Sequence, residues 1–217
     1  MQLNNFTDTQ FFARIDRISS FIFLNLLWVL FALPIVTLPA ATAGLFAVIT
    51  DWQRGIENEA VGRFFGAMRQ HWRKSTLLGV ANVAVFGLIV VNINILPRMI
   101  LPQPFFFVLL GITLFVALLV AATNLYLWTL LVIFDLSIAD LIEISVKLVF
   151  QHSLWSGGLL AGSVLAFVAG ITLLPSGGVL LVTFAGCAWL VARGAWHIIG
   201  RYTAELDQLS LQRSNNI

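Results

Sequence analysis

The stretch that decides the fold lies at residues 104–134 and reads PFFFVLLGITLFVALLVAATNLYLWTLLVIF. No Asp, Glu, Lys or Arg interrupts it. A helix that spans a bilayer needs about 20 predominantly apolar residues. This stretch is longer than that, so it predicts a transmembrane helix that tilts or extends beyond the bilayer.

The composition of the whole chain agrees with this prediction. Of its 217 residues, 59% are hydrophobic and 10% are charged, and the mean hydropathy is +0.95. Soluble domains are typically about 45–50% apolar and about 25% charged. We therefore expect an all-α, polytopic transmembrane bundle that forms a single domain over residues 1–217 in the lipid bilayer. The net charge of +2, without a concentrated basic face, gives no support for nucleic-acid binding.

Apolar runs predict the individual spans. These runs cover residues 18–33, 39–53, 76–97, 104–134, 154–174 and 177–199. The first two are short and are separated by Pro34 and Pro39, so two topologies compete. Either residues 18–50 form one broken span, which gives five crossings, or they fold into a hairpin, which gives six crossings arranged as three helical hairpins.

The positions of charges and prolines favour six crossings. Lys and Arg collect on the cytoplasmic side of membrane proteins. Six crossings leave only Arg98 of the twelve Lys and Arg residues outside, whereas five crossings add Arg14 and Arg17 to the minority side. All six prolines fall at outer turns in the six-crossing topology, where a proline can start a helix without interrupting one. We therefore expect a multi-pass protein of the cell membrane with both termini in the cytoplasm.

A basic amphipathic segment covers residues 60–75. Its apolar residues recur at helical spacing, and the rest of its helical wheel carries Arg63, Arg69, Arg73 and Lys74. This pattern predicts a short helix that lies in the membrane interface. It serves either as a cytoplasmic anchor, which is the more common use, or as a docking surface for a cytoplasmic or membrane partner.

Asparagines are the main polar groups inside the predicted spans. Four of them could line a path for a polar solute: Asn82, Asn92, Asn94 and Asn124. The competing interpretation, which we favour, is hydrogen bonding between helices.

Small residues recur every four positions in the fifth span, at Gly158, Gly162, Ala166 and Gly170. This spacing places them in one stripe and lets another helix approach closely. We expect packing within the chain, against Gly186 and Gly194 of the sixth span. Self-association or contact with a partner helix is the alternative.

The residue patterns of common catalytic sites do not occur in this sequence. It has no phosphate-binding glycine loop, no nucleophile elbow and no paired catalytic carboxylates. The single cysteine, Cys187, and three separated histidines match no local metal-ligand motif. We therefore expect no enzymatic activity, no cofactor and no metal.

One segment resembles a known family. It comprises Asn25-Leu26-Leu27-Trp28 and the run Leu33-Pro34-Ile35-Val36-Thr37-Leu38-Pro39-Ala40-Ala41-Thr42-Ala43-Gly44-Leu45. This segment is similar to the YesL family of bacterial membrane proteins, although Leu38 and Pro39 replace the family's Ile-Gly, Ala40 replaces its proline and Phe46 replaces its tyrosine. The resemblance implies that the protein is encoded beside sugar-uptake transporters and polysaccharide-degrading enzymes. It supplies no catalytic residue.

Two functions are compatible with these observations. The first is a non-catalytic accessory protein of a carbohydrate uptake transporter, with a sugar-transporter permease as its partner. The second is a small-solute transporter or channel that acts on its own. The sequence identifies neither a ligand nor an oligomeric state.

Overall fold

The computed structural model describes residues 19–56, 59–100, 102–173 and 178–214, and these are helical apart from their connections. A short 3-10 helix at Leu96–Arg98 separates α3 from α4. The α-helices of the described residues are α1 (Ser19–Ala32), α2 (Leu38–Gln53), α3 (Ala60–Ile95), α4 (Gln103–Ile133), α5 (Ile138–Gln151), α6 (Ser153–Leu173) and α7 (Gly178–Ser214). The all-α class is therefore confirmed for the described residues.

Two helices in the described part of the chain are long and apolar enough to cross a membrane. They are α3 with its 3-10 extension, Ala60–Arg98, and α4, Gln103–Ile133. The pair α5 and α6 adds a third span only if the two helices, which meet at an angle of 101°, are counted as one broken span. The structure thus supports a membrane protein, and it does not confirm six crossings.

Helix α2 forms the centre of the packed core. Pro39 lies in its first turn, as the sequence predicted for a helix start. Every residue from Ala43 to Asp51 is buried, and the helix packs against α3, α4 and α7. Gly44 permits a close approach to α3, because a Cβ there would lie 2.9 Å from the backbone carbonyl oxygen of Phe64.

The turn between α1 and α2 lies beside the middle of α3. The Thr37 hydroxyl donates a hydrogen bond to the Phe31 carbonyl at 2.5 Å and closes the turn. Pro39 then packs directly against Gly79. Residues 80–95 of α3 extend about 24 Å past this contact, at 1.5 Å per residue. The turns at 34–39 and 97–104 therefore lie at different heights along α3.

The predicted interfacial helix at residues 60–75 is not a separate element. These residues are the first turns of α3, which continues without a break to Ile95. No proline or glycine lies between Gly66 and Gly79 to end the helix. At 1.5 Å per residue the helix is about 54 Å long, far more than the hydrocarbon core of about 30 Å. Its basic first half therefore projects beyond the core.

Candidate functional site

The asparagines of the predicted solute path connect α3 to α4. The Asn82 side chain donates to Asn124 Oδ1 at 3.0 Å, and Asn124 donates back to Asn82 Oδ1 at 2.8 Å. Nearer the end of α3, Asn92 donates to the Thr113 hydroxyl at 2.6 Å. Asn94 donates to a carbonyl of its own helix, that of Val90. These contacts match the interhelical alternative more closely than a continuous polar path.

The Asn82–Asn124 pair gives a direct test of this role. We expect Asn82→Leu to lower the free energy of unfolding by roughly 0.6–1.7 kcal/mol, because it leaves the Asn124 amide without its cross-helix partner. The double variant Asn82→Leu with Asn124→Leu should recover part of this loss. The measurement is reversible unfolding in mixed detergent micelles. Asn94→Leu is the matched control. If Asn82→Leu and Asn94→Leu lower the free energy of unfolding equally, the pairing role is contradicted.

The predicted stripe of small residues lies on α6, and we call it the α6 stripe; two of its members, Gly158 and Gly162, do not contact α7. A Cβ at Gly158 or Gly162 would meet nothing within 4 Å, and neither would one at Gly186, the predicted partner. Ala166 is half-buried, and Gly170 falls outside the residues whose surroundings are described.

The contact between α6 and α7 uses a neighbouring face of α6. Leu159 lies over Gly194, where an added Cβ would come within 2.5 Å of a Leu159 methyl group. The Trp155 indole N–H donates to the Gly194 carbonyl at 3.1 Å. Gly194 thus takes part as predicted, but the close approach comes from a glycine of α7 that receives a leucine of α6. The predicted packing of the α6 stripe within the chain is wrong for Gly158 and Gly162.

Two of the four predicted basic residues are held in ion pairs. Arg63 binds Asp51 at 2.6 Å, and the Asp51 side chain is only 6% exposed. Lys74 binds the Asp135 carboxylate at 2.5 Å and donates to the Leu136 carbonyl at 3.0 Å. The hydrogen bond from Lys74 lowers the pKa of Asp135, which therefore stays ionised at a lower pH than a free carboxyl would. These contacts attach the first half of α3 to α2 and to the α4–α5 connection.

The other two basic residues, Arg69 and Arg73, are exposed. The Arg73 guanidinium lies over the Trp72 ring, 5.3 Å from its centroid. Within the described part of the chain, no carboxylate forms an ion pair with Arg69 or Arg73. Arg63 and Lys74 therefore hold α3 to its neighbours, whereas Arg69 and Arg73 remain available to a ligand or a partner.

Arg69 also lines a groove between the α1–α2 turn and α3. The groove has a volume of about 470 Å³. Five of its other seven lining residues are apolar, and the seven are Val36, Thr37, Ala40, Phe65, Met68, Trp72 and Thr76. We call this feature the turn groove. It combines an apolar floor with a cationic side chain.

Sequence reasoning missed both the Arg63–Asp51 pair and the turn groove. The spacing of twelve residues across a short connection is a weak signal for the ion pair, because a helical hairpin with that loop can bring many such pairs together. The turn groove depends on where the α1–α2 turn meets α3, and that position follows from the Pro39–Gly79 contact. No local motif marks it.

Comparison with known proteins identifies the family. Residues 21–93 match a family model described as "Protein of unknown function, DUF624". The chain is 30% identical over 146 residues to the uncharacterized protein YesL of Bacillus subtilis (strain 168), an alignment that covers 65% of this chain and 68% of that protein. No solved structure matches the chain. This chain belongs to the DUF624 family, the YesL-like proteins of unknown function.

Proposed function

We propose that this chain is a non-catalytic accessory protein that assembles with a carbohydrate uptake transporter in the cell membrane. The observation that supports it best is that one face of α6 contacts α7 and another face contacts nothing that the structure describes. One face of this helix holds α7 through Leu159, while Gly158 and Gly162 face open space. The sequence resemblance adds the sugar-transporter permease as the expected partner.

The chemistry of the α6 stripe suits a second helix within the bilayer. Lipid tails are as apolar as leucine, so helices associate in a membrane chiefly through close packing. Glycines allow the backbones to approach, and the exposed Leu165 continues the apolar surface on the same face of the helix. A permease helix can therefore pack on Gly158 and Gly162 without displacing a contact that either residue makes within the described part of the chain.

Co-purification from the native membrane in a mild detergent tests the proposal. We expect stoichiometric recovery of a sugar-transporter permease, identified by mass spectrometry. Replacing Gly158 and Gly162 together by leucine should reduce this recovery about tenfold or more, because close helix packing no longer fits. Gly111→Leu on α4 is the matched control, since a Cβ there also meets nothing within 4 Å. Recovery of this chain alone, or equal recovery with both sets of variants, would count against the proposal.

Independent transport of a small solute is the alternative function. It predicts solute flux in proteoliposomes that contain this chain alone, whereas the accessory role predicts flux only when the partner is present. The mutual hydrogen bonds of Asn82 and Asn124 leave these amides engaged with each other, which gives the accessory role more support.

The topology that we propose differs from the six-crossing prediction in its first hairpin. Helices α1 and α2 lie beside the first half of α3, and their turn meets α3 about 24 Å short of its end. We infer that this hairpin enters from the cytoplasmic side and returns to it, while residues 76–97 of α3 cross the membrane. Both termini then remain in the cytoplasm, in agreement with the distribution of Lys and Arg.

A further inference from the structure

The turn groove has the shape and the lining of a site for one apolar chain. Phe65, Met68 and Trp72 of α3 form one wall, and Val36 and Ala40 form the other. Its volume of about 470 Å³ lies within the range of about 300–1,000 Å³ that is typical of small-molecule sites. An apolar groove of this kind takes a ligand whose buried part is hydrocarbon.

The rim of the turn groove is cationic. Arg69 lines the groove, and the Arg73 guanidinium lies over the ring of Trp72, a lining residue. Arg63 and Lys74 are already paired with carboxylates of this chain, which leaves Arg69 and Arg73 as the cations available to a ligand. Guanidinium groups bind phosphate through paired hydrogen bonds. The rim therefore complements an anionic phosphate headgroup.

We propose that the turn groove binds an anionic phospholipid, with one acyl chain in the groove and its phosphate on Arg69 and Arg73. This proposal concerns a surface distinct from the outward face of α6 and does not depend on the transporter partner. The headgroup lies at the cytoplasmic boundary of the bilayer, where anionic lipids meet basic side chains next to transmembrane helices.

The α1–α2 turn itself favours a lipid over a soluble partner. Three of its apolar side chains are largely exposed, namely Leu33 (72%), Ile35 (82%) and Val36 (79%). Apolar side chains next to exposed arginines are most stable at the boundary between acyl chains and headgroups. A soluble partner would have to displace lipid from this turn, whereas a phospholipid occupies the same boundary without that cost.

Retention of lipids by the full-length protein tests the proposal. The protein is equilibrated in detergent with equal amounts of dioleoyl phosphatidylglycerol and dioleoyl phosphatidylcholine, and native mass spectrometry counts the lipids that remain bound. We expect phosphatidylglycerol to be retained about 25-fold more, because the two arginines contribute about 1 kcal/mol each near the headgroup. Arg69→Gln should lower the ratio to about five, Arg69→Gln with Arg73→Gln should bring it close to one, and Arg69→Lys should keep most of the preference.

Two further variants separate this site from general charge effects. Arg98→Gln removes an exposed charge at the other end of α3 and should leave the ratio unchanged. Val36→Trp fills the groove with Arg69 intact and should lower retention of phosphatidylglycerol at least threefold. The proposal is overturned by equal retention of both lipids in the unmodified protein, by an equal effect of Arg98→Gln, or by full retention in Val36→Trp. Displacement of the lipid by millimolar inorganic phosphate would also overturn it, since that result assigns the site to free phosphate.

Discussion

Replacing Arg63 by methionine is expected to lower the free energy of unfolding by about 3 kcal/mol. The side chain of Asp51 is 6% exposed, and Arg63 holds its carboxylate at 2.6 Å. Removing the Arg63 guanidinium takes a charge-assisted hydrogen bond away from a carboxylate that water barely reaches, and this loss is larger than the net value of the pair. Because the two residues join the end of α2 to the start of α3, the variant should also loosen the α1–α2 hairpin. Unfolding in mixed detergent micelles measures both the loss and its cooperativity.

A double variant and a surface pair serve as controls for this prediction. Arg63→Met combined with Asp51→Asn removes both charges and should recover more than half of the loss. Lys147→Met breaks an ion pair with Glu143 in which both side chains are at least 60% exposed, and its cost should stay below about 1 kcal/mol. If Arg63→Met costs no more than Lys147→Met, the Asp51 carboxylate does not depend on Arg63.

Local signals in the sequence predicted most of the helices. The apolar run at 104–134 corresponds to α4, Gln103–Ile133, and the run at 154–174 corresponds to α6, Ser153–Leu173. Prolines gave good starting points, because Pro39 and Pro104 both lie in the first turn of their helices. Such predictions succeed because helix length and helix starts are determined by residues close together in the chain.

The contacts between helices could not be predicted in the same way. A glycine spacing of four residues identifies one face of α6, but it does not say whether α7 or lipid covers that face. The structure places Leu159 over Gly194 and leaves Gly158 in open space. Likewise, Pro39 and Gly79 are forty residues apart, and neither residue type predicts their contact. The turn groove follows from that contact, so it too was hidden from sequence reasoning.

Labelling of single cysteines should distinguish the proposed topology from six crossings. In a Cys187→Ala background, Met99→Cys lies in the connection between α3 and α4 and should react from outside with a membrane-impermeant maleimide. Ile35→Cys, at a side chain that is 82% exposed in the structure, should not react from outside. The reason is the Pro39–Gly79 contact, which keeps the α1–α2 turn about 24 Å from the end of α3. We expect Met99→Cys to be labelled almost completely from outside and Ile35→Cys to be labelled hardly at all.

Gln70→Cys completes this experiment as the cytoplasmic control. Gln70 is exposed on the first half of α3, so its cysteine should react in inverted vesicles and not in intact cells. Six crossings place the α1–α2 turn outside, and Ile35→Cys would then react in intact cells as fast as Met99→Cys. That result would also remove the turn groove from the cytoplasmic leaflet, since Val36 and Arg69 line it together. If Ile35→Cys is not labelled from outside while Met99→Cys is, the hairpin lies at the cytoplasmic leaflet, where the basic residues of α3 can bind anionic lipid.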